Sequence, residues 1–163
     1  MTPVAQPPEM DGADRPGHRP PRPTGIFWAI ALLALAGVAV SSVSLHHHYG
    51  TSPTSYCDFG ANFNCDIVNR STYSTVLGIP DALIGILGYG TLLALATLYR
   101  RKAETPVLLL IASVAGLGFA LYLTYIEAFV LATWCILCLS SLTLIFTITV
   151  LSAFLVAKSR RRA

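Results

Sequence analysis

Four stretches of this chain are apolar for long enough to cross a bilayer, and this narrows the possible folds more than anything else in it. They run from Ile26 to Leu45, from Ala82 to Tyr99, from Pro106 to Ile126, and from near Thr133 to near Ala157. A helix needs about 20 consecutive apolar residues to span the hydrocarbon core. Inside lipid the backbone must satisfy its own hydrogen bonds, which continuous runs of this length do as helices. The 163 residues suit one domain. They are 54% hydrophobic and 12% charged, which excludes an ordinary soluble domain. A polar or charged break separates the runs, so the sequence predicts an all-α membrane protein built as a four-transmembrane-helix bundle. The first run follows Arg15, Arg19 and Arg22, as a signal peptide would. Its apolar core exceeds the roughly 7–15 residues of a signal peptide and no A-x-A site follows it, so it reads as a retained helix.

The basic residues set the orientation. Arg15, Arg19 and Arg22 precede the first helix. Arg100, Arg101 and Lys102 join the second to the third, and Lys158, Arg160, Arg161 and Arg162 follow the fourth. The other two connections hold only Arg70 among Asp58, Asp66, Asp81 and Glu127. Lys and Arg favour the cytoplasmic side, so both termini and the middle loop are expected inside. The formal charge of +3 is spread at the ends of apolar runs and forms no basic face, which argues against a nucleic-acid partner. Lipid is the expected surrounding.

Residues 1–24 are rich in Pro, Gly and charge and read as a disordered cytoplasmic tail. Residues 158–163 form a short basic tail on the same side. Residues 46–80 make the one sizeable extracytoplasmic loop, with turn signals at Gly50, Pro53, Gly60, Asn62 and Asn64. Within it Asp66–Tyr73 is spaced for a short helix across the mouth of the bundle. The second and third helices carry Gly85, Gly88, Gly90, Ala112, Ala115, Gly116 and Gly118, small residues that let membrane helices approach closely.

The chain has four cysteines, and this topology puts all of them on the outer, oxidising side. Cys135 and Cys138 form a CxxC at the start of the fourth helix. Positions i and i+3 share a helix face, within reach of a disulfide. Cys135 is expected in the first turn, where the helix dipole favours a thiolate. Cys138 lies a turn deeper, within reach of a hydrophobic electron carrier. The opposing reading, two inert buried cysteines, is weaker for a CxxC at an interface. Cys57 and Cys65 close a short loop that is either a structural staple or an exchanging pair. Two pairs in one small membrane protein permit thiolate attack from one on the other. The C-x7-C and distant C-x2-C spacing is not a zinc finger or ribbon pattern. Even with His46, His47 and His48 nearby, no metal site is assigned.

Glu127 and Asp81 lie near the outer helix ends and read as solvated interfacial carboxylates, with proton transfer open to them if buried. Trp134, Tyr122 and Tyr125 read first as aromatic-belt anchors. Tyr122 and Tyr125 are also candidates to line a flat aromatic pocket beside Cys138. Ser71 and Thr72 either cap a turn or donate to a bound carbonyl.

The pattern Cys57-Asp58-x-Gly60, Cys65 and Ser71, followed by four-helix hydropathy and Cys135-Ile136-Leu137-Cys138, resembles the vitamin K epoxide reductase family. Asp66-Ile67-Val68-Asn69 and Gly78-Ile79-Pro80 look like its bacterial branch. The resemblance covers roughly residues 25–157. It implies a four-helix bundle around a quinone, menaquinone or ubiquinone, in a bacterial cytoplasmic membrane. It implies an enzyme that reoxidises a thioredoxin-like (DsbA-like) partner for disulfide formation and passes the electrons to the membrane quinone pool. Cys57 would exchange with the partner, Cys65 would attack the Cys135–Cys138 disulfide at Cys135, and Cys138 would face the quinone. Ser71 matches a loop hydroxyl residue near the family's active site. Animal members have a Tyr four residues after the last Cys, where this chain has Leu142, so the resemblance does not extend to epoxide chemistry or warfarin-type inhibition. Many bacterial members carry a fused thioredoxin-like domain; here the partner is expected to be a separate protein. The competing reading is a structural or metal-binding membrane protein with a loop disulfide.

Overall fold

The computed structural model describes residues 24–50 and 63–161. Cys57, the expected tail up to residue 23 and the last two residues lie outside the described part. Four long helices follow the four apolar runs: α1 (Thr24–Tyr49), α3 (Asp81–Thr97), α4 (Thr105–Ile126) and α5 (Ile136–Arg160). A short α2 (Cys65–Asn69) and a single 3₁₀ turn (Thr72–Ser74) sit in the connection after α1. They match the helix expected over Asp66–Tyr73, divided in two. The strands β1 (Thr75–Val76) and β2 (Ile79–Pro80) then form a minimal antiparallel hairpin, Thr75 opposite Pro80 and Val76 opposite Ile79. Both of its turn residues have positive φ, 54° at Leu77 and 82° at Gly78, the φ signs of a type I′ turn.

Three helical segments, Gly25–Tyr49, Thr105–Leu131 and Ile136–Arg160, are long and apolar enough to cross a membrane. The fourth apolar helix, α3, has 17 residues, the lower end of the spanning range of about 17–25. Seven hydroxyls inside these helices are satisfied by their own helix. Thr91, Thr97, Thr124, Ser140, Thr143, Thr147 and Thr149 each donate to the carbonyl four residues earlier. An apolar solvent offers no other partner.

The helices form a ring, α1 against α3 and α5, and α4 against α3 and α5. Near the end where α1 begins, the ring is solid. Phe27, Ile30 and Ala34 of α1 pack with Leu92 and Ala96 of α3, Leu109 of α4, and Ile148 and Leu155 of α5. One close approach is decisive: a Cβ at Gly37 would run into the Tyr89 ring, so glycine there lets α1 and α3 meet. Small residues in α3 and α4 do not all serve that purpose, since a Cβ at Gly88, Gly90 or Gly118 would meet nothing within 4 Å.

α1 runs a full turn past the expected Leu45, through the three histidines to Tyr49. The extra turn is held because its polar groups find partners on the loop. His47 Nδ1 lies 3.7 Å from Asp66 Oδ1. Ser44 donates to the Asn69 side chain at 2.6 Å, and His48 Nδ1 bonds the Asn69 carbonyl. The histidines therefore act as a platform that seats α2 over the bundle.

Candidate active site

At the far end of the bundle the chain turns from α4 into α5, and that turn builds the site. After Ile126 the helix widens into a π-helical turn over Glu127–Leu131, and Ala132 closes it in the left-handed region at φ 49°, ψ 32°. Such turns recur at functional sites because they re-aim side chains. The backbone is then extended through Cys135 (φ −111°, ψ 118°), which is the N-cap of α5 and not part of its first turn as expected. Cys138 occupies that first turn.

The loop cysteine is brought to the same place by backbone pairing. Phe63 and Trp134 form a parallel bridge, with the Asn64 N–H donating to the Trp134 carbonyl at 3.1 Å. Asn64 also caps α2, its Oδ1 accepting from Ile67 N–H at 3.0 Å, so Cys65 opens a helix fixed at both ends of the bridge. Cys65, Val68 and Cys135 are buried as one cluster, with Leu131, Leu137 and Cys138 packed on it. Cys65 is disulfide-bonded, while Cys135 and Cys138 are free thiols.

Glu127 completes the cluster. It is only 1% exposed, where a solvated carboxylate was expected, because the π-helical turn points it beneath the cysteines. Its Oε2 accepts from the Cys135 N–H at 3.2 Å. One carboxylate oxygen and the two sulfurs all lie within 4.8 Å of one another. The Cys138 thiol, bonding to the Cys135 sulfur, is the main influence holding the Cys135 thiol below its ordinary range. The backbone N–H groups of Cys138 and Leu137 add to this, while burial and the Glu127 charge oppose it. No bond of regular cap geometry reaches the Cys135 side chain, so the amides act as nearby dipoles at a helix N-terminus.

Below the cysteines the ring of helices is hollow. A cavity of about 420 Å³ lies between α1, α3, α4 and α5, with Cys138 on its wall. That size falls in the range of small-molecule sites, about 300–1,000 Å³. Its lining is mostly apolar, including Ala112, Phe119, Leu123 and Ile145, with Ser44, Asp81 and Ser141 as polar points. The Tyr89 hydroxyl donates to the Ser141 carbonyl at 2.8 Å and lies 3.0 Å from its Oγ, tying α3 to α5 across the floor.

The chain matches the model of the vitamin K epoxide reductase family over residues 28–153. The chain belongs to this family. As a member of the vitamin K epoxide reductase family it is a membrane thiol oxidoreductase.

Not every expected site residue of this family member joins the cluster. Tyr122 and Tyr125 are 55% and 58% exposed and are absent from the cavity wall. Phe119 and Leu123 take the inward positions of α4, while Tyr125 stacks on Phe129 outside, 4.9 Å between centroids. Ser71 also misses the main cavity. Its hydroxyl donates to the Val68 carbonyl at 2.9 Å, closing the end of α2, and it borders a narrow gap shared by Asp81 and Glu127. Tyr89 and Ser141 were not anticipated, and Asn69 was read only as part of the Asp66-Ile67-Val68-Asn69 segment. Their roles come from partners more than twenty residues away.

Proposed function

We propose that this protein is a quinone-dependent thiol oxidoreductase that reoxidises a thioredoxin-like partner outside the cytoplasmic membrane. All four long helices span the bilayer, with both termini inside, as the Lys and Arg clusters suggest. One observation carries the reading: Cys138 belongs both to the buried cluster with Cys65 and Cys135 and to the wall of the large apolar cavity. A thiol with one side on a disulfide relay and the other on an apolar pocket is suited to pass electrons from protein to lipid-soluble carrier.

The roles follow from position. Cys57 exchanges with the partner dithiol, leaving Cys57 and Cys65 reduced. The Cys65 thiolate attacks Cys135 of the CxxC disulfide, displacing Cys138. Cys57 then attacks Cys65, restoring the loop disulfide and releasing Cys135. A thiol of lowered pKa is the better leaving group, and Cys135 is the one so held. The cavity suits a flat ring: it is mostly apolar, bordered by four helices, and offers Ser44, Asp81 and Ser141 to ring oxygens. The quinone, when bound there, supplies the electron sink. The net reaction is partner dithiol plus quinone giving partner disulfide plus quinol. For two electrons, each 30 mV of potential difference is worth about 1.4 kcal/mol.

The test is quinone reduction by the purified protein with a reduced thioredoxin-like donor, beside each Cys→Ala variant. Cys138→Ala is expected to abolish turnover and to accumulate a Cys65–Cys135 mixed disulfide. Unchanged turnover in Cys138→Ala would refute the relay.

A further inference from the structure

Reducing a quinone with a dithiol moves protons as well as electrons. Two S–H bonds break, one S–S bond forms, two electrons pass to the ring, and two O–H bonds form on the quinol. Two protons must therefore leave the sulfurs of Cys135 and Cys138, and two must reach the ring oxygens. The structure holds carboxylates at both ends of that route.

Glu127 is at the sulfur end. It is 1% exposed, has a carboxylate oxygen within 4.8 Å of the Cys138 sulfur, and is bonded through Oε2 to the Cys135 N–H. Its other oxygen, Oε1, is buried and has no hydrogen-bond partner among the described residues. A buried polar atom left unpaired is costly, so its retention calls for a use. Asp81 is at the cavity end. It lines the large cavity together with Cys138, and it lines the narrow gap together with Glu127. Asp81 is thus the one acidic residue common to both spaces.

We infer that Glu127 and Asp81 form a proton path from the CxxC thiols to the quinone oxygens, Glu127 serving as the general base for Cys138. This rests on the quinone-reductase reading above. Glu127 takes the Cys138 proton as the thiolate forms and passes it through the gap to Asp81, which gives it to a ring oxygen. The Cys135 proton follows by the same route, and both carboxyl groups return to their starting state. The titratable groups facing Glu127 are Cys135 and Cys138 from α5 and Asp81 from α3, with Tyr73 bordering the gap. His48 of α1 faces Asp81.

Two measurements test the path. The first is infrared difference spectroscopy as diamide oxidises the reduced CxxC with no quinone present. With no quinone to take it, the Cys138 proton stays on Glu127, and the wild type is expected to gain a carboxylic C=O stretch that E127Q lacks. The second is single-turnover quinone reduction by the reduced protein across pH. General acid–base catalysis is worth about 10²–10⁴-fold, so E127Q should be at least 100-fold slower and lose one limb of the profile. D81N should slow the same step but keep the infrared band of Glu127. Three results would overturn the path: no carboxyl band in the wild type, a band that survives in E127Q, or E127Q slowed with an unaltered pH profile. If E127Q does not fold, the wild-type band and D81N decide. Failure of the wild type to reduce quinone at all would instead overturn the parent reading.

Discussion

Filling the cavity offers a direct test of the proposed quinone site. Gly88 lines it from α3, and a Cβ added there would meet nothing within 4 Å. Gly88→Phe should therefore fold and project its ring into the hollow. The cavity is about 420 Å³, toward the small end of the range for ligand sites, so an added ring displaces ligand and not empty space. Losing roughly 60 Å² of ligand contact at about 25 cal/mol per Å² costs ~1.5 kcal/mol, or about tenfold in affinity. Gly118 supplies the matched control. It also meets nothing within 4 Å, yet it lies on α4 away from the cavity wall. Both substitutions replace a helical glycine, which stabilises a helix by several tenths of a kcal/mol. The assay is the quinone KM with a saturating reduced thioredoxin-like donor. Gly88→Phe is expected to raise KM about tenfold or more, and Gly118→Phe to leave it within twofold. A Gly88→Phe protein that folds and keeps its KM, or an equal rise in Gly118→Phe, would place the quinone elsewhere.

Three more outcomes are expected. Alkylation of Cys135, followed by mass spectrometry across pH, should reach half-maximal rate below the usual cysteine value of about 8.5; in Cys138→Ala the midpoint should rise, because the Cys138 thiol is the chief cause of the lowering. Tyr89→Phe removes the hydroxyl that bridges to Ser141 and leaves that end of α5 without its partner. It should destabilise the bundle by about 1–3 kcal/mol in thermal unfolding, with no loss of Cys65–Cys135 exchange. Leu77 is 98% exposed with φ 54°, so Leu77→Asn forfeits no packing and installs the Asn-Gly pair that type I′ turns prefer. It should raise stability by about 1 kcal/mol, read as a higher Tm; a fall would mean that Leu77 holds a contact absent from the isolated chain.

How much of this was legible in the sequence depends on what kind of force placed each residue. The helices were legible because a bilayer demands long apolar runs, and the four runs match α1, α3, α4 and α5. The CxxC was legible because its spacing is local. The inward faces were not. In a soluble helix a polar stripe reveals which side faces the core. In lipid both sides are apolar, so nothing in the run around Phe119 and Tyr122 says which of the two points inward. The aromatic pair Tyr122 and Tyr125 was therefore a reasonable candidate and faces outward, while Phe119 and Leu123 line the cavity. Glu127 failed for a different reason. A carboxylate at a helix end reads as solvated, and only the π-helical turn after Ile126 with the bridge of Phe63 to Trp134 brings it beneath the cysteines. The same bridge explains why Cys65 meets Cys135 although about seventy residues separate them. The thiols were named by local chemistry, but their neighbours were set by the long-range pairing of Phe63 with Trp134 and by the π-helical turn after Ile126. That pairing and that turn, more than the cysteine spacing, bring Cys65 to Cys135 and Glu127 to both CxxC sulfurs.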